Sequence, residues 1–270
     1  MQDVRNADGK ASAAPRDSIL THTRSDKVPA PGCVLVAGAS GGIGRALCEQ
    51  LASSFSGVHV VRLARRPEDL PTVDAHCLDI ACDIADESAI EQAVAGIPRE
   101  QTLDWILIAS GWLHGDGYRP EKTWRQLDAE HLLHAYRINA IGPALLLKHL
   151  LERLNPDYPC RIGVLSARVG SISDNRLGGW HAYRASKAAL NMLLKNIALE
   201  LARKRDDCTI VGLQPGTTDT ALSAPFQRNV APDQLQTPGY TARQLVKVMQ
   251  AIEPRDSGGL FDVLGLPFDP

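Results

Sequence analysis

Short apolar runs alternate with amphipathic segments from residue 33 to the end of the chain. Runs such as VLVA (34–37) and ILIA (106–109) are continuously apolar, which is typical of parallel strands buried on both faces. Seven runs predict strands, at 33–37, 58–63, 75–79, 103–109, 161–165, 209–213 and 259–263.

Segments with an apolar residue every three or four positions lie between these runs. They predict helices over 45–51, 87–97, 130–154, 181–204 and 241–252. Alternating strands and helices predict an α/β fold with a single doubly wound parallel sheet (a Rossmann fold) and helices on both faces. Residues 1–31 are polar and aperiodic and predict a flexible extension, which leaves 32–270 as one domain.

Composition excludes several function classes. The net charge is −2, from 29 basic and 31 acidic residues, so nothing favours a nucleic-acid partner. No apolar run approaches the roughly 18 residues of a membrane span, and the N-terminus lacks the apolar segment of a signal peptide. The six cysteines show no CxxC spacing, so we expect reduced thiols, a cytoplasmic location and no metal site.

A glycine-rich loop, AGASGGIG at 37–44, follows the first predicted strand and opens a helix. Its glycines let the backbone turn tightly and approach a pyrophosphate, which the N–H groups of the helix start attract. The alternative is a turn that only requires positive φ, but the strand-loop-helix context favours a dinucleotide. The expected contacts are Gly38, Ser40, Gly42, Ile43 and Gly44.

Tyr183 and Lys187 are four residues apart on a predicted helix and share one face. That face continues through Leu190, Leu194 and Leu201, so it is directed inward, where a lysine needs a partner. A nearby ammonium group stabilises a phenolate and lowers the tyrosine pKa from about 10. The pair therefore predicts a proton donor for carbonyl reduction, although tyrosine and lysine also occur at this spacing by chance.

The GxxxGxG loop and the YxxxK pair resemble the short-chain dehydrogenase/reductase family. The resemblance runs from about residue 33 to the end, and the segments NAIGP (139–143), SARVGS (166–171) and YRASK (183–187) are similar to the C-factor/CsgA-like branch. It implies NAD(P)-dependent oxidoreduction of a small carbonyl or alcohol substrate. It also implies a homodimer or homotetramer built on the helices near 123–154 and 181–204.

The resemblance assigns further catalytic roles. Lys187 would also hold the nicotinamide ribose, and Asn139 would support a water of a proton relay. Gly142 and Pro143 predict a helix kink beside Asn139, so this asparagine could equally satisfy an interrupted helical turn.

The serine that binds the substrate carbonyl in the family is missing, because Ala167 occupies its place. Ser166 should point to the opposite face of its strand. Ser171 is slightly favoured as a replacement, and Ser173 is more distant. If no serine substitutes, the oxyanion depends on Tyr183 alone.

The end of the second strand suggests which cofactor binds. NAD-preferring relatives carry an acid where this chain has Ala64, and Arg65 and Arg66 follow. Guanidinium groups suit a 2′-phosphate, so NADP(H) is predicted over NAD, with a solvated arginine loop as the alternative. Asp83 matches an adenine-contacting residue but could also be a helix N-cap.

The segment 215–220, PGTTDT, resembles the family motif that meets the nicotinamide carboxamide. The expected contacts are Pro215, Gly216 and Thr218, with Thr220 on the carboxamide or pyrophosphate. Residues 221–238 predict a mobile substrate lid, partly apolar through Leu222 and Phe226.

Two hypotheses follow. The first is an NADPH-dependent carbonyl reductase or alcohol dehydrogenase. The second is a signalling or interaction protein that binds a dinucleotide with little turnover. The missing serine and the segment IASG (108–111), where the family has NNAG, keep the second open. Tyr183, Lys187 and Asn139 favour the first, because binding alone needs no proton donor.

Overall fold

Seven parallel strands form the central sheet of the computed structural model, which describes residues 17–21, 29–115 and 117–270. The strands are β1 (Cys33–Ala37), β2 (His59–Ala64), β3 (His76–Ala81), β4 (Trp105–Ile108), β5 (Arg161–Leu165), β6 (Thr209–Gln214) and β9 (Leu260–Asp262). Their order in the sheet is β3-β2-β1-β4-β5-β6-β9. The predicted doubly wound parallel sheet is confirmed.

Two groups of helices pack alongside the sheet. The helices are α1 (Gly42–Ser54), α2 (Glu87–Ala95), α3 (Ala129–Tyr136), α4 (Gly142–Leu150), α5 (His181–Leu201) and α6 (Pro238–Ala251). In one group, α1 contacts α6. In the other group, α2 contacts α4, and α5 contacts both α3 and α4.

The helix predicted over 130–154 is not continuous. A π-helical turn, Arg137–Ile141, separates α3 from α4, and a 3₁₀ turn, Leu151–Arg153, ends the segment. Pro143 in the first turn of α4 lacks the N–H that a regular helix would use, and π turns often occur at such interruptions. A Cβ at Gly142 would lie 2.3 Å from the Ile84 carbonyl oxygen, so the glycine permits close packing here.

The core lies on both sides of β1, β4 and β5, whose residues are all buried. Arg62 is also buried, in the middle of β2, where its guanidinium group donates two hydrogen bonds of 2.6 Å to Asp79 of β3. This bidentate pair satisfies a charge that would otherwise be costly at that depth. Arg62 thus joins the edge strand to the sheet.

The predicted lid, 221–238, contains more regular structure than its sequence pattern indicated. It includes a 3₁₀ helix, Ala224–Asn229, and a short strand β8 (Leu235–Gln236), which pairs in parallel with β7 (Thr217–Thr218). Its mobility stays a prediction.

Part of the predicted N-terminal extension lies against the domain. Ile19, in the 3₁₀ turn Ile19–Thr21, is buried, and its N–H donates to the Gly265 carbonyl at 3.0 Å. The Tyr158 hydroxyl donates to the carbonyl of Pro29 at 2.6 Å. The structure therefore differs from a wholly flexible extension, because one apolar side chain finds a place in the core. Residues 1–16 and 22–28 of that prediction lie outside the described residues.

Truncating Ile19 should therefore destabilise the domain. Ile19→Ala is expected to lower the free energy of unfolding by about 2 kcal/mol, because it leaves a cavity in the core. Leu20→Ala, at a neighbouring exposed position, should change it by less than about 0.5 kcal/mol. Urea unfolding of both variants measures this; equal effects would show that Ile19 is not docked in solution.

Candidate active site

The order of the strands reverses at β1, which lies between β2 and β4. Loops leaving the carboxyl ends of β1 and β4 therefore diverge to opposite faces, and a crevice opens between them. A cavity of about 440 Å³, the nucleotide cavity, occupies this place. Its lining includes Gly38, Ser40, Ala64, Arg65, Asp83, Ser110, Gly111, Trp112 and His134.

The glycine loop turns sharply at the floor of this cavity. Gly38 has φ +77°, and a Cβ there would lie 2.8 Å from the Ser110 backbone nitrogen. A Cβ at Gly44 would lie 2.1 Å from the Gly38 carbonyl oxygen, and one at Gly42 would lie 2.6 Å from Thr220. Gly41, the N-cap of α1, supplies no side-chain cap, which leaves the first amides of α1 for an anion. Gly38, Gly42 and Gly44 require glycine for close packing. Of the three, Gly38 lines the nucleotide cavity, and the cofactor contacts expected at Gly42 and Gly44 stay predictions.

Ser110 provides a test of whether a dinucleotide fits. Its Oγ is buried in the wall of the nucleotide cavity and forms no hydrogen bond within the described part of the chain. A buried hydroxyl without a partner is costly, and a ligand's polar groups would satisfy it. Together with the tight glycine loop, this orphaned group fits a bound dinucleotide. Ser110 is not among the site residues predicted from the sequence. Its position just after β4, beside the reversal of the strand order, could have indicated that it lies at the site.

The two predicted arginines differ in placement. Arg65 lines the nucleotide cavity directly after Ala64, which ends β2. Arg66 instead pairs with Asp69 at 3.0 Å and is not part of that lining. Asp83 lines the cavity, while its Oδ1 accepts from the Ala85 N–H at 2.9 Å. The N-cap of α2 is Asp86, so Asp83 has no capping role for that helix.

A second cavity of about 330 Å³, the substrate cavity, lies beside the first. The segment 112–114 joins them, because Trp112 and His114 line the nucleotide cavity and Leu113 lines the other. The lining of the substrate cavity is mainly apolar and includes Leu113, Ala167, Val169, Trp180, Tyr183, Leu222, Phe226 and Val230, with Arg168 as a charged member.

The motif 215–220 contributes the opposite wall. Pro215, Gly216, Thr218 and Thr220 all line the substrate cavity, as does Ile43 of the glycine loop. The Thr218 hydroxyl is buried between the Pro215 carbonyl (3.2 Å) and the Thr241 hydroxyl (2.9 Å), so it braces the loop. The structure thus brings the residues of this motif to the substrate cavity and not to the lining of the nucleotide cavity, so their contact with a cofactor stays a prediction.

Tyr183 lines the substrate cavity, and Lys187 is buried one turn further along α5. The Lys187 Nζ donates to the Leu165 carbonyl oxygen at 2.8 Å, at the end of β5. A Cβ at Gly170 would lie 2.7 Å from the Lys187 Cβ, so this glycine lets the lysine pass. The inward stripe is confirmed, since Leu190, Leu194 and Leu201 are all buried.

Burial shifts the pKa of both groups. It raises the pKa of Tyr183 to about 12 and lowers that of Lys187 from 10.5 to about 8, because the charged forms lose water. The tyrosine shift is opposite to the one expected from the sequence. Desolvation is the cause of the raised pKa of Tyr183, so the activation by Lys187 that the sequence led us to expect stays a prediction.

Asn139 is fully buried in the π-helical turn. Its Oδ1 accepts from the Trp112 N–H at 2.7 Å, and its Nδ2 donates to the Trp112 carbonyl at 2.8 Å and to Ser186 Oγ at 3.0 Å. A Cβ at Gly111 would lie 3.9 Å from both Asn139 Oδ1 and Lys187 Nζ, so these side chains meet at one place. Asn139 fixes the backbone between the two cavities; its part in a water relay stays a prediction.

Neither candidate serine directs a free hydroxyl at the substrate cavity. Ser166 belongs to the lining, but its Oγ donates to Asn191 Oδ1 at 2.6 Å. Ser171 is buried outside that lining; its hydroxyl contacts Ser173 at 3.3 Å and accepts from the Asp174 N–H at 3.2 Å. The 3₁₀ turn Arg168–Gly170 turns Ser171 away from the cavity. Ala167, at the position where the family has a serine, lines the substrate cavity and offers no hydroxyl.

Glu87, Glu91 and His149 bring three possible metal-ligand atoms within 4.8 Å of one another. None of them lines either cavity, and Lys148 already binds Glu87 at 2.8 Å. An ammonium group on the same carboxylate disfavours a cation there.

Comparisons with known proteins agree with this architecture. The sequence pattern of the short chain dehydrogenase family matches residues 32–231. C-signal of Myxococcus xanthus is 31% identical over 139 residues, covering 52% of this chain and 78% of that protein. The 1-hydroxy-2-glutathionyl-2-methyl-3-butene dehydrogenase of Rhodococcus sp. (strain AD45) is 28% identical, covering 83% and 93%.

Solved structures show the same fold. NADPH-bound carbonyl reductase from chicken fatty liver superposes with a TM-score of 0.74 at 22% identity, covering 88% of this chain and 99% of that one. Among the described residues, none of the helices is both long and apolar enough to cross a membrane.

The buried Lys187 should reduce stability at neutral pH. Its pKa falls from 10.5 to about 8 on folding, so the unfolded chain binds more protons between these values and stability rises with pH across that window. Lys187→Met should therefore be more stable than wild type at pH 7, by up to about 3 kcal/mol less the lost hydrogen bond to Leu165.

Urea unfolding at pH 7, 9 and 10 measures this advantage, which should shrink as the pH rises. Lys195→Met, at an exposed position of the same helix, is the matched control and should show no such trend. A Lys187→Met protein that is less stable than wild type at pH 7 would contradict the argument.

Proposed function

Because this chain belongs to the short-chain dehydrogenase family, whose members are NAD(P)-dependent oxidoreductases, we propose that it reduces a carbonyl group to an alcohol with NADPH. The carrying observation is the placement of Tyr183 in an apolar cavity beside the nucleotide cavity, with Lys187 on the same helix face. A phenol at such a boundary serves proton transfer, which cofactor binding alone does not require.

A nicotinamide cofactor supplies the hydride in this chemistry. The residues that would hold it are Gly38, Ser40, Arg65 and Ser110 in the nucleotide cavity, with Lys187 behind the cavity wall.

Tyr183 is the proposed proton donor to the substrate oxygen. Its pKa of about 12 keeps the hydroxyl protonated at neutral pH, as a general acid must be. The cost is a poor phenolate after transfer, which the nearby Lys187 ammonium group offsets by charge. Ala167 contributes no hydroxyl, so Tyr183 carries the stabilisation of the oxyanion.

The substrate cavity favours a carbonyl compound with an apolar body. Trp180 and Phe226 have ring centroids 5.0 Å apart, and His114 approaches Phe226 at 5.5 Å. Leu113, Val169 and Val230 add aliphatic surface. Aryl ketones and aldehydes are therefore the first compounds to test.

A second candidate function is dinucleotide binding with little turnover, in a signalling or interaction role. It is favoured by Ala167 together with the engaged hydroxyls of Ser166 and Ser171. It differs from the first in one respect: it assigns no role to the Tyr183 hydroxyl.

Replacing Tyr183 separates the two candidates. Tyr183→Phe removes the proton donor and keeps the ring, so we expect NADPH oxidation with aryl carbonyls to fall by at least about 100-fold. The dissociation constant for NADPH, followed by fluorescence, should change by less than about threefold. Tight NADPH binding with no Tyr183-dependent turnover across the panel would favour the binder.

The proposed preference for NADPH rests on the end of β2. Ala64 offers no carboxylate to a ribose, and Arg65, which lines the nucleotide cavity directly after it, is the residue that we assign to a 2′-phosphate. The chicken carbonyl reductase was solved with NADPH, which accords with this choice. Arg66 is occupied by Asp69, so we assign it no direct contact.

The two arginines form a matched pair for a test. Arg65→Ala should lower kcat/KM with NADPH by about 10- to 100-fold, since a charge-assisted contact is worth about 1.5–3 kcal/mol, and leave NADH almost unchanged. Arg66→Ala should have less than about a twofold effect on either cofactor. Equal effects of the two variants, or a wild-type preference for NADH, would refute the assignment.

We further propose a cytoplasmic homodimer or homotetramer. Exposed apolar residues on α3 and α5, Leu133, Met192 and Leu199, support association through these helices.

A further inference from the structure

Glu121 is a buried acid that belongs to none of the sequence motifs described above and has no role in the proposed function. It is 2% exposed and lies in the loop before α3, 61 positions before Ala182 of α5. Burial of a carboxylate is expensive unless it is bonded, so its contacts deserve a functional explanation.

One set of these contacts is made to the start of α5. The Glu121 carbonyl oxygen accepts from the Trp180 N–H at 2.5 Å. Its carboxylate accepts from the Ala182 N–H, at 3.1 Å to Oε1 and 3.3 Å to Oε2. One residue thus holds the N-cap position and the second residue of the helix that carries Tyr183.

Trp180 has an unusual backbone. Its φ of 50° and ψ of 42° are left-handed, and it is the one non-glycine residue with positive φ in the described ranges. This conformation costs about 1–2 kcal/mol for a residue with a Cβ, so other contacts must stabilise it. Glu121 supplies such contacts, because it bonds the Trp180 N–H itself and the Ala182 N–H two residues later.

The strained conformation places the Trp180 ring in the substrate cavity. The ring lies against Phe226 at 5.0 Å and is edge-on to Tyr183 at 6.3 Å. The backbone at residues 180–182 therefore sets where the Trp180 ring lies relative to the Tyr183 hydroxyl.

A second set of contacts connects Glu121 with the nucleotide cavity. His131 Nδ1 lies 3.4 Å from Glu121 Oε1, and the His131 ring is stacked on Tyr118 at 4.9 Å and edge-on to Trp112 at 5.4 Å. Trp112 lines the nucleotide cavity, and Asn139 binds its backbone. Glu121 lies where this cluster meets α5.

We propose that Glu121 is a positioning residue that holds Trp180 and the first turn of α5, and thereby sets the Tyr183 hydroxyl against the substrate carbonyl. This inference rests on the proposed function, in which Tyr183 donates the proton. Glu121 acts through the backbone and touches neither substrate nor cofactor.

Three substitutions test the proposal. Glu121→Gln keeps an oxygen acceptor for the Ala182 N–H and should retain kcat within about threefold. Glu121→Ala removes the acceptor and should lower kcat by about 10- to 100-fold, because small misplacements of a reacting group are costly. Glu121→Asp keeps the charge but shortens the side chain, and its kcat should fall between these.

The dissociation constant for NADPH should change by less than about threefold in all three variants. Glu130→Ala, at an exposed acid nearby on α3, is the control and should behave as wild type. If Glu121→Ala does not fold, the comparison of Glu121→Asp with Glu121→Gln decides. Equal kcat in Asp, Gln and wild-type proteins, or a kcat loss matched by lost NADPH binding, would overturn the proposal.

Hydrogen exchange gives a readout that does not need turnover. The amide of Ala182, whose acceptor is the Glu121 carboxylate, should exchange faster in Glu121→Ala and Glu121→Asp, with protection retained in Glu121→Gln and unchanged in the sheet. If wild type reduces no carbonyl, the proposed function fails, and this pattern still supports the holding role. Unchanged exchange at residues 180–182 would overturn it.

Discussion

The buried ammonium group of Lys187 is the constraint around which the candidate site is arranged. It lies at the carboxyl end of β5, bonded to the Leu165 carbonyl, where burial lowers its pKa to about 8. Burial of a charged group destabilises a folded protein, and such groups cluster at sites that bind a ligand or carry out a reaction. Gly170 makes room for its stem, and Gly111 lies beside its Nζ. The lysine thus accounts for the glycine at 170, where a Cβ would lie 2.7 Å from the Lys187 Cβ.

Much of this arrangement follows from local sequence. The apolar runs fix a parallel sheet, and the reversal at β1 fixes where its crevice opens. The spacing of Tyr183 and Lys187 and the stripe that continues through Leu190 place both side chains on the inward face of α5. These inferences concern contacts within a few residues or the general topology of a fold, and both are encoded in periodicity.

Contacts between distant segments could not be predicted in this way. Glu121 and Ala182 are bonded across 61 positions, and no pattern links them. The direction of Ser171 depends on the short 3₁₀ turn before it, and the difference between Arg65 and Arg66 depends on Asp69. In each case one backbone turn or one neighbouring charge determines the role, and residue type alone is uninformative.

We assign the chemistry to Tyr183 without help from a serine, since Ala167, which has no hydroxyl, lines the substrate cavity at the expected serine position. The most direct measurement is isotope transfer in a single turnover, with NADPH deuterated at the nicotinamide C4 and an aryl ketone. We expect deuterium on the carbinol carbon of the product with the wild-type protein, and almost none with Tyr183→Phe at equal NADPH occupancy. Bound NADPH that transfers no deuterium to any carbonyl, or equal transfer by both proteins, would contradict it.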